Sequence, residues 1–452
     1  MLVREANETI GGGTRTAELT LPGFRHDVCS AIHPLGAASP FFRALPLDVD
    51  WVHPPAPLAH PFEGGDAIVV RRSVDETAAA LGADDDAYRR LLQPLARAWE
   101  DISGDILRPL LAVPRHPFAL ARFGVQALQP ARRIVEERLE KDRTRALVAG
   151  ACAHSFLPLE RLASASFGLV LLATAHAVGW PFPRGGSQAI ADALASHLTS
   201  LGGEIETNAR VDSLRELPRA RVVLCDVAPR VLLRIEDGLL PERYRRRLER
   251  WRYGPGVVKI DYALDAPVPW TAEGVAEAAT VHLGASLEEI AVSERAPFRG
   301  EVAERPFVLL AQQTPFDSTR APAGKHTVWA YCHVPNGWTQ DVSDRIDAQI
   351  ERFAPGFRER VLARSVRLPA DVERDDESMP GGDISGGANV LPQLLARPRA
   401  VAPYSTPVPW LYLCSSSTPP GGGVHGMCGY LAARAALRSA NIQRCPSRSS
   451  AR

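Results

Sequence analysis

At 452 residues the chain has room for two large domains or three average ones, at about 150 residues each. Its 52 Lys and Arg are matched by 52 Asp and Glu, which excludes the basic footprint of a nucleic-acid binder. Hydrophobic residues at 45% and charged residues at 23% are those of a soluble globular protein.

Only three of the basic residues are lysines (Lys141, Lys259 and Lys325), an arginine excess that reads as coding bias rather than a functional patch. The longest apolar stretch, 163–180, is interrupted by Ser164, Ser166, Thr174 and His176, short of the roughly 20 apolar residues of a membrane span. The first residues, with Arg4, Glu5 and Glu8, do not form a signal peptide. Seven scattered cysteines show no zinc-knuckle or CxxC spacing. The expectation is a cytoplasmic protein without a metal centre.

In chain order, Leu2-Val3 reads as the end of a short strand closed by Glu5, and Gly11-Gly12-Gly13 as a tight connection. From 73 to about 180 the pattern turns helical. Ser73 with Glu76 is a capping box ahead of the apolar run from Ala78 to Leu81. Amphipathic stretches follow at 88–99, 131–149 and 159–178, separated by Pro109, Pro114, Pro117 and Pro130. Residues 187–201 predict a helix ended by Gly202, which takes a left-handed cap at little cost. Short strands are predicted at 204–207 and 222–225, and longer ones at 257–264 and 327–333. In the first long strand Val258, Ile260, Tyr262 and Leu264 share a face, with Lys259 and Asp261 between them. A last strand at 411–414 leads through a Ser/Pro/Gly-rich loop into a helix at 426–437, and 439–452 reads as a frayed polar tail. The pattern predicts α/β ends enclosing a helical and antiparallel insert.

The opening carries the strongest chemical signal. An acid ending a second parallel strand, here Glu5, is placed to accept hydrogen bonds from a ribose diol. Gly11 and Gly12 let backbone N–H groups approach a phosphate, and Arg15 adds a permanent charge suited to pyrophosphate. Near the other end, Gly421, Gly422 and Gly423 precede a helix whose N-terminus offers free N–H groups. Gly421, Gly423 and Gly426 formally satisfy G-x-G-x-x-G, but no Asp or Glu follows them to hold a ribose. His425 beside this loop and Asp383 after Gly381-Gly382 are weak candidates for catalytic groups; a structural histidine and a turn aspartate are the commoner outcomes. His333 and Tyr331 could line a substrate cavity or simply pack. His26-Asp27 and Asp75-Glu76 read as ordinary loop and helix-start residues, and Cys414 and Cys428 as small buried side chains rather than a disulfide.

Three segments together resemble the FAD-dependent phytoene dehydrogenase-like oxidoreductases, relatives of carotenoid desaturases and isomerases and, more distantly, of flavin amine oxidases. The first is Leu2-Val3-Arg4-Glu5-Ala6 with Gly11-Gly12-Gly13-Thr14-Arg15-Thr16. The second is Trp180-Pro181-Phe182-Pro183-Arg184-Gly185-Gly186-Ser187 with Gly202-Gly203-Glu204-Ile205 and Ala209-Arg210-Val211. The third is Ser415-Ser416-Ser417-Thr418-Pro419-Pro420-Gly421-Gly422-Gly423-Val424-His425-Gly426-Met427.

The resemblance implies an α/β fold with a Rossmann-like FAD-binding domain, N-terminally truncated, assembled from 1–72, 181–236 and 376–440. A substrate domain, helical over 73–180 and built on an antiparallel sheet over 237–375, completes it, with 441–452 as a flexible tail. It implies FAD held by Glu5, Gly11, Gly12, Arg15, Gly421, Gly422, Gly423 and Val424, with Val211 on a strand against the adenine. The implied reaction is hydride abstraction from an apolar, polyprenoid-like substrate, with a separate electron acceptor reoxidising the flavin, or isomerisation of a double bond at the same site. No nucleic acid is an expected partner, and the helical block offers a peripheral membrane contact.

One departure stands out. Family members carry a strand, a glycine-rich turn and a helix about 20 to 30 residues ahead of the ribose acid, whereas four residues precede Glu5. Such a unit buries several apolar side chains worth about 1.5–3 kcal/mol each. The expectation is therefore that Met1 is an internal start and that FAD binding by this chain alone is compromised. The alternatives are a non-catalytic truncated homologue without FAD, and a flavin amine oxidase-like enzyme.

Overall fold

The structure, a computed structural model, describes residues 1–439; the predicted tail beyond them lies outside the described residues. A seven-stranded sheet runs in the order Val361–Arg367, Gly256–Leu264, His326–Val334, Val308–Ala311, Thr280–Leu283, Leu58–Phe62, Asp66–Val70. Neighbours are antiparallel except Thr280–Leu283 and Leu58–Phe62, which run parallel. Strand alternation divides the sheet into two faces. Val258, Ile260, Tyr262 and Leu264 meet Val328, Ala330, Cys332 and Val334 in an apolar core sealed by Ile346, Ile350 and Phe353 of the helix Ser343–Phe353. The opposite face carries Lys259, Asp261, Trp329, Tyr331, His333, His282 and His60, nearly all buried.

The two strands at 58–70, placed by sequence with the cofactor-side piece, are hydrogen-bonded into this sheet. Their partners lie more than 200 residues away (Ala59 pairs with Val281), so no local pattern marks the assignment.

Against the polar face lies a helical block built from Asp85–Arg97, Trp99–Ile106, Pro117–Ala127, Ala131–Arg138, Asp142–Ala153 and Ser164–Ala177. Tyr88, Leu91, Leu92, Trp99, Leu147, Leu169 and Leu172 form its core. Ser73 caps the helix Val74–Ala79 by accepting the Glu76 N–H at 3.2 Å. The helix predicted over 131–149 is split in two. The cause is remote: the Asp84 carboxylate takes the N–H groups of Glu140 (2.7 Å) and Lys141 (2.9 Å), which a continuous helix would need for itself.

The remaining parallel strands form two separate pairs. Leu2–Arg4 pairs with Glu204–Glu206, and Val223–Cys225 with Leu411–Leu413. The helix Gln188–Ser200, ended by Gly202 at φ 81°, packs beside the first pair; Met427–Ser439 follows the second.

Candidate functional site

Glu5 sits at the carboxyl end of Leu2–Arg4. One carboxylate oxygen accepts the Asn7 N–H at 2.7 Å, leaving the other for a ligand hydroxyl. The chain then turns through Gly11 at φ 116°, where a Cβ would stand 3.1 Å from the Ala191 methyl. Close packing of this turn on the helix Gln188–Ser200 is what requires glycine. Gln188 fastens the contact, its Nε2 donating to the Ile10 carbonyl at 3.1 Å and its backbone N–H to Thr16 Oγ1 at 3.1 Å. The opening and middle segments therefore meet.

Arg15 faces protein rather than open solvent. Its Nε donates to the Gly12 carbonyl at 3.0 Å and its Nη2 to the Asp375 carbonyl at 2.8 Å, bracing the opening segment against 375–379. Gly12 touches the same segment, since a Cβ there would lie 3.2 Å from an Asp376 carboxylate oxygen. Val211 departs from expectation: it lies in a loop, not a strand. Asn208 takes φ 52° and turns the chain, and the N–H groups of Asn208 and Ala209 return to the carbonyls of Asn7 (2.9 Å) and Glu5 (2.8 Å). Beyond it, Arg210, Arg230, Arg234, Glu373 and Glu377 line an open groove of about 840 Å³.

The closing segment contributes a cradle of donors. Gly421 and Gly423 have φ 115° and 119°. A Cβ at Gly421 would stand 2.8 Å from Arg397 Nη1, and one at Gly422 3.0 Å from the Ser385 carbonyl oxygen. Among the described residues, none of the backbone N–H groups from Gly422 to Gly426 has a hydrogen-bond partner. They stand just ahead of the helix Met427–Ser439, whose first turn adds partial positive charge. Unpaired donors in a row at a helix start are the chemistry an anionic or carbonyl-bearing ligand needs.

The polar atoms of the two candidate catalytic residues are taken up by the loops around them. His425 is buried, its Nδ1 accepts the Met427 N–H at 3.1 Å, and its Nε2 lies 3.2 Å from the Gly421 carbonyl. An accepting Nδ1 puts the ring proton on Nε2, so both nitrogens are committed to shaping the loop. Burial lowers its pKa to about 4, which keeps it neutral. Ser39 Oγ, donating to the His425 carbonyl at 2.6 Å, ties this loop to the opening segment. Asp383 is buried and accepts the N–H groups of Gly254 (2.7 Å) and Ser385 (2.8 Å), which makes it a turn aspartate.

Sequence reasoning missed the polar junction beneath these loops. Buried Asp27 accepts from Thr16 Oγ1 (2.8 Å), from the Ser187 N–H (2.8 Å) and from the buried guanidinium of Arg320. Burial pushes its carboxyl up, but Arg320 and these hydrogen bonds outweigh burial and hold it below the ordinary value. Lys259 pairs with Asp261 on the buried sheet face, where burial lowers the lysine and raises the aspartate. His26 Nδ1 lies 3.6 Å from Asp261, and burial followed by Lys259 and Arg320 lowers its pKa to about 3. The one signal available was the nine-residue strand Gly256–Leu264: a central strand buried on both faces buries its charges too. On the same face His333 Nδ1 pairs with Glu294 at 2.7 Å, Trp329 and Tyr331 meet edge to face at 4.9 Å, and His154 and His282 share a proton across 3.0 Å.

At the carboxyl ends of the two parallel pairs, Glu5 and Asp226 come close to Asp376. Asp226 keeps its tip open to solvent but is crowded by protein around it. That crowding, then Asp376 and Glu5, raises its pKa to about 7. The free oxygen of Glu5 and the unpaired N–H row at 422–426 have the chemistry that a dinucleotide's ribose and phosphate would use. Between the strand pairs stand three carboxylates, Glu5, Asp226 and Asp376.

No family model matches the chain. A mouse protein, pyridine nucleotide-disulfide oxidoreductase domain-containing protein 2, is 30% identical over 387 residues, covering 74% of this chain and 64% of its own. The neurosporene-forming phytoene desaturase of Rhodobacter capsulatus is 28% identical over 277 residues, covering 54% and 51%. Among solved structures, an oxidoreductase from Methanosarcina mazei superposes with a TM-score of 0.64 at 13% identity, over 97% of this chain and 94% of its own. Putrescine-bound putrescine oxidase gives 0.58 at 17% identity, over 97% and 92%. The chain spans 64% of the length of the curated relatives it matches first.

The fold is therefore the mixed α/β, Rossmann-like fold of the FAD-binding oxidoreductases. By sequence, the chain is a relative of the phytoene dehydrogenase-like FAD-dependent oxidoreductases.

Proposed function

We propose that this protein is an FAD-dependent oxidoreductase acting on a C–H bond of an apolar, polyprenoid-like substrate, or shifting a double bond in the same site, in the cytoplasm. The observation that carries the reading is that the opening segment reaches both of the others: its turn at 10–12 is fastened to Gln188 and packs on Asp376, and its Ser39 is fastened to the His425 carbonyl within the unpaired donors at 422–426. Glu5 would hold a ribose and the 422–426 N–H groups the flavin side of the cofactor. FAD when bound supplies a hydride acceptor, and a separate acceptor restores it. The chain's own residues position the reactants and exclude water: the apolar helical block walls off the buried sheet face, and the neutral, buried His154 and His282 carry no charge that would draw solvent in.

The test is spectroscopic. The purified protein should be yellow, with flavin bands at about 375 and 450 nm, and should take up added FAD. A second reading, a non-catalytic homologue without FAD, is favoured by the carboxylate cluster of Glu5, Asp226 and Asp376. Folded protein that stays colourless with and without added FAD would establish it and refute the first.

A further inference from the structure

Arg397 is 1% exposed, among the largest side chains that the fold buries completely. Its hydrogen-bond partners are all neutral. Nη1 donates to Asn389 Oδ1 at 3.2 Å, and Nη2 to the carbonyls of Ser385 (3.0 Å) and Gly387 (3.2 Å). Nε is buried with no partner among the described residues, and the Trp251 ring lies 5.7 Å from the guanidinium carbon. A guanidinium stays charged in a protein, and a buried charge without an opposite partner is costly. The buried guanidinium of Arg320, by contrast, is closed over Asp27.

The titratable groups that face Arg397 do not pair with it. Asp383 attracts it, but both Asp383 oxygens are taken by the N–H groups of Gly254 and Ser385, and burial raises the carboxyl. The Cys428 thiol is spent on the carbonyls of Thr418 (3.4 Å) and Gly421 (3.6 Å), and burial pushes it up to about 11, so it is neutral. What Arg397 does touch is the glycine loop. The space that a Cβ of Gly421 would fill is held by Arg397 Nη1, 2.8 Å away, and the residues that follow carry the unpaired N–H groups at 422–426. A full positive charge thus adjoins a row of free donors, and both favour an anion.

We propose that Arg397 supplies the counter-charge for an anionic group held at 422–426, and that with FAD bound there it raises the cofactor's two-electron reduction potential. The inference rests on the FAD reading above and deepens it. FAD that takes up two electrons with two protons stays neutral at its ring, whereas with one proton the ring carries a negative charge. A fixed cation beside the loop favours the second outcome, since charge near the flavin ring is one of the means by which a protein tunes it. The competing role is a clamp between 385–389 and Gly421, which needs hydrogen bonds rather than charge.

The test is the reduction potential of the full chain loaded with FAD, titrated with dithionite against a reference dye. Between about pH 6 and 8 the wild-type potential should fall by about 30 mV per pH unit throughout, the slope of one proton per two electrons. Arg397→Met should lower the equilibrium constant for reduction about a hundredfold, a drop of about 60 mV. Arg397→Lys keeps the charge but not the fork of hydrogen bonds, and should stay within about tenfold of wild type, about 30 mV. Three results overturn the proposal: a wild-type slope that steepens to about 60 mV per pH unit toward the acid end, a Met variant with the wild-type potential, or Met and Lys variants lowered alike. The wild-type slope decides even where Arg397→Met does not fold. A folded wild type that takes up no FAD is told apart by its lack of colour, and overturns the FAD reading and this inference with it.

Discussion

Acidification to about pH 5 should remove most of the stability this protein has at neutral pH. Seven histidines have pKa values pushed well down, chiefly by burial: His26 and His154 to about 3, His33, His60, His176 and His425 to about 4, and His282 well below its ordinary value. In the unfolded chain each titrates near 6.5. Below that value the unfolded state binds protons that the folded state refuses, so stability present above about pH 6.5 drains away as pH falls toward the folded values. By about pH 5 each histidine has cost about 2 kcal/mol. Asp226, raised to about 7, has the opposite sign and gains stability as pH falls through that value. Its solvent-open tip reduces that gain to about 1 kcal/mol. Asp261, Asp347, Asp376 and Asp383, raised chiefly by burial, have the same sign as Asp226 and offset part of the histidines' loss, which before these offsets exceeds about 10 kcal/mol, against a total domain stability of about 5–15 kcal/mol. Urea unfolding followed by circular dichroism across about pH 5 to 7.5 checks this. A midpoint that stays constant over that range would show that these imidazoles are not buried neutral, and would refute the packing around them.

Other substitutions probe the junction and the cofactor ends separately. Arg320→Met leaves Asp27 charged and buried without its guanidinium. It should cost about 3–5 kcal/mol in urea unfolding, whereas the matched Arg320→Met with Asp27→Leu should recover much of the loss. Glu5→Ala should weaken FAD about tenfold, as measured by flavin fluorescence quenching, with little change in stability because Glu5 is half-exposed. Asp226→Asn should stabilise the chain by about 1–2 kcal/mol at alkaline pH, after allowance for solvent screening, and by less in acid, where Asp226 is already protonated. An equal effect at both ends of the pH range would argue against the crowding of the three carboxylates.

What the sequence made legible was local. The strand at 2–4, the Ser73 cap, the helix 188–200 with its Gly202 stop and the face-sharing of Val258, Ile260, Tyr262 and Leu264 depend on neighbours within a few residues, and all are present. Glycine loops were legible as loops, because φ values of 115° and 119° at Gly421 and Gly423 admit little else. Features set by distant partners were not. The break between Arg138 and Asp142 comes from Asp84, and the burial of Lys259 and Asp261 from strands on both sides of Gly256–Leu264. Asp27 reads as a loop residue until Arg320, nearly three hundred positions away, closes over it. For the same reason His425 and Asp383, plausible as reactive groups in the sequence, turn out to have their polar atoms taken by backbone partners.

The distribution of charge also separates two tasks that the chain must perform. In and beside the buried sheet face the charges are paired, Lys259 with Asp261 and Asp27 with Arg320, and the Glu294 carboxylate is hydrogen-bonded to the His333 ring. Paired charges hold a shape without requiring anything further. At the ends of the parallel strand pairs the pattern is reversed: crowding by protein, then the charges of Asp376 and Glu5, raise Asp226 to about 7. Three carboxylates at the carboxyl ends of parallel strands stand where α/β proteins bind their ligands. A neutral glycine turn placed between the strand pairs would bring backbone N–H donors to those carboxylates and space them apart, as well as meeting a pyrophosphate. The two places thus differ in charge: opposite charges are paired in the buried junction, and like charges are gathered at the ends of the parallel strands, where a ligand's hydrogen-bond donors would relieve them.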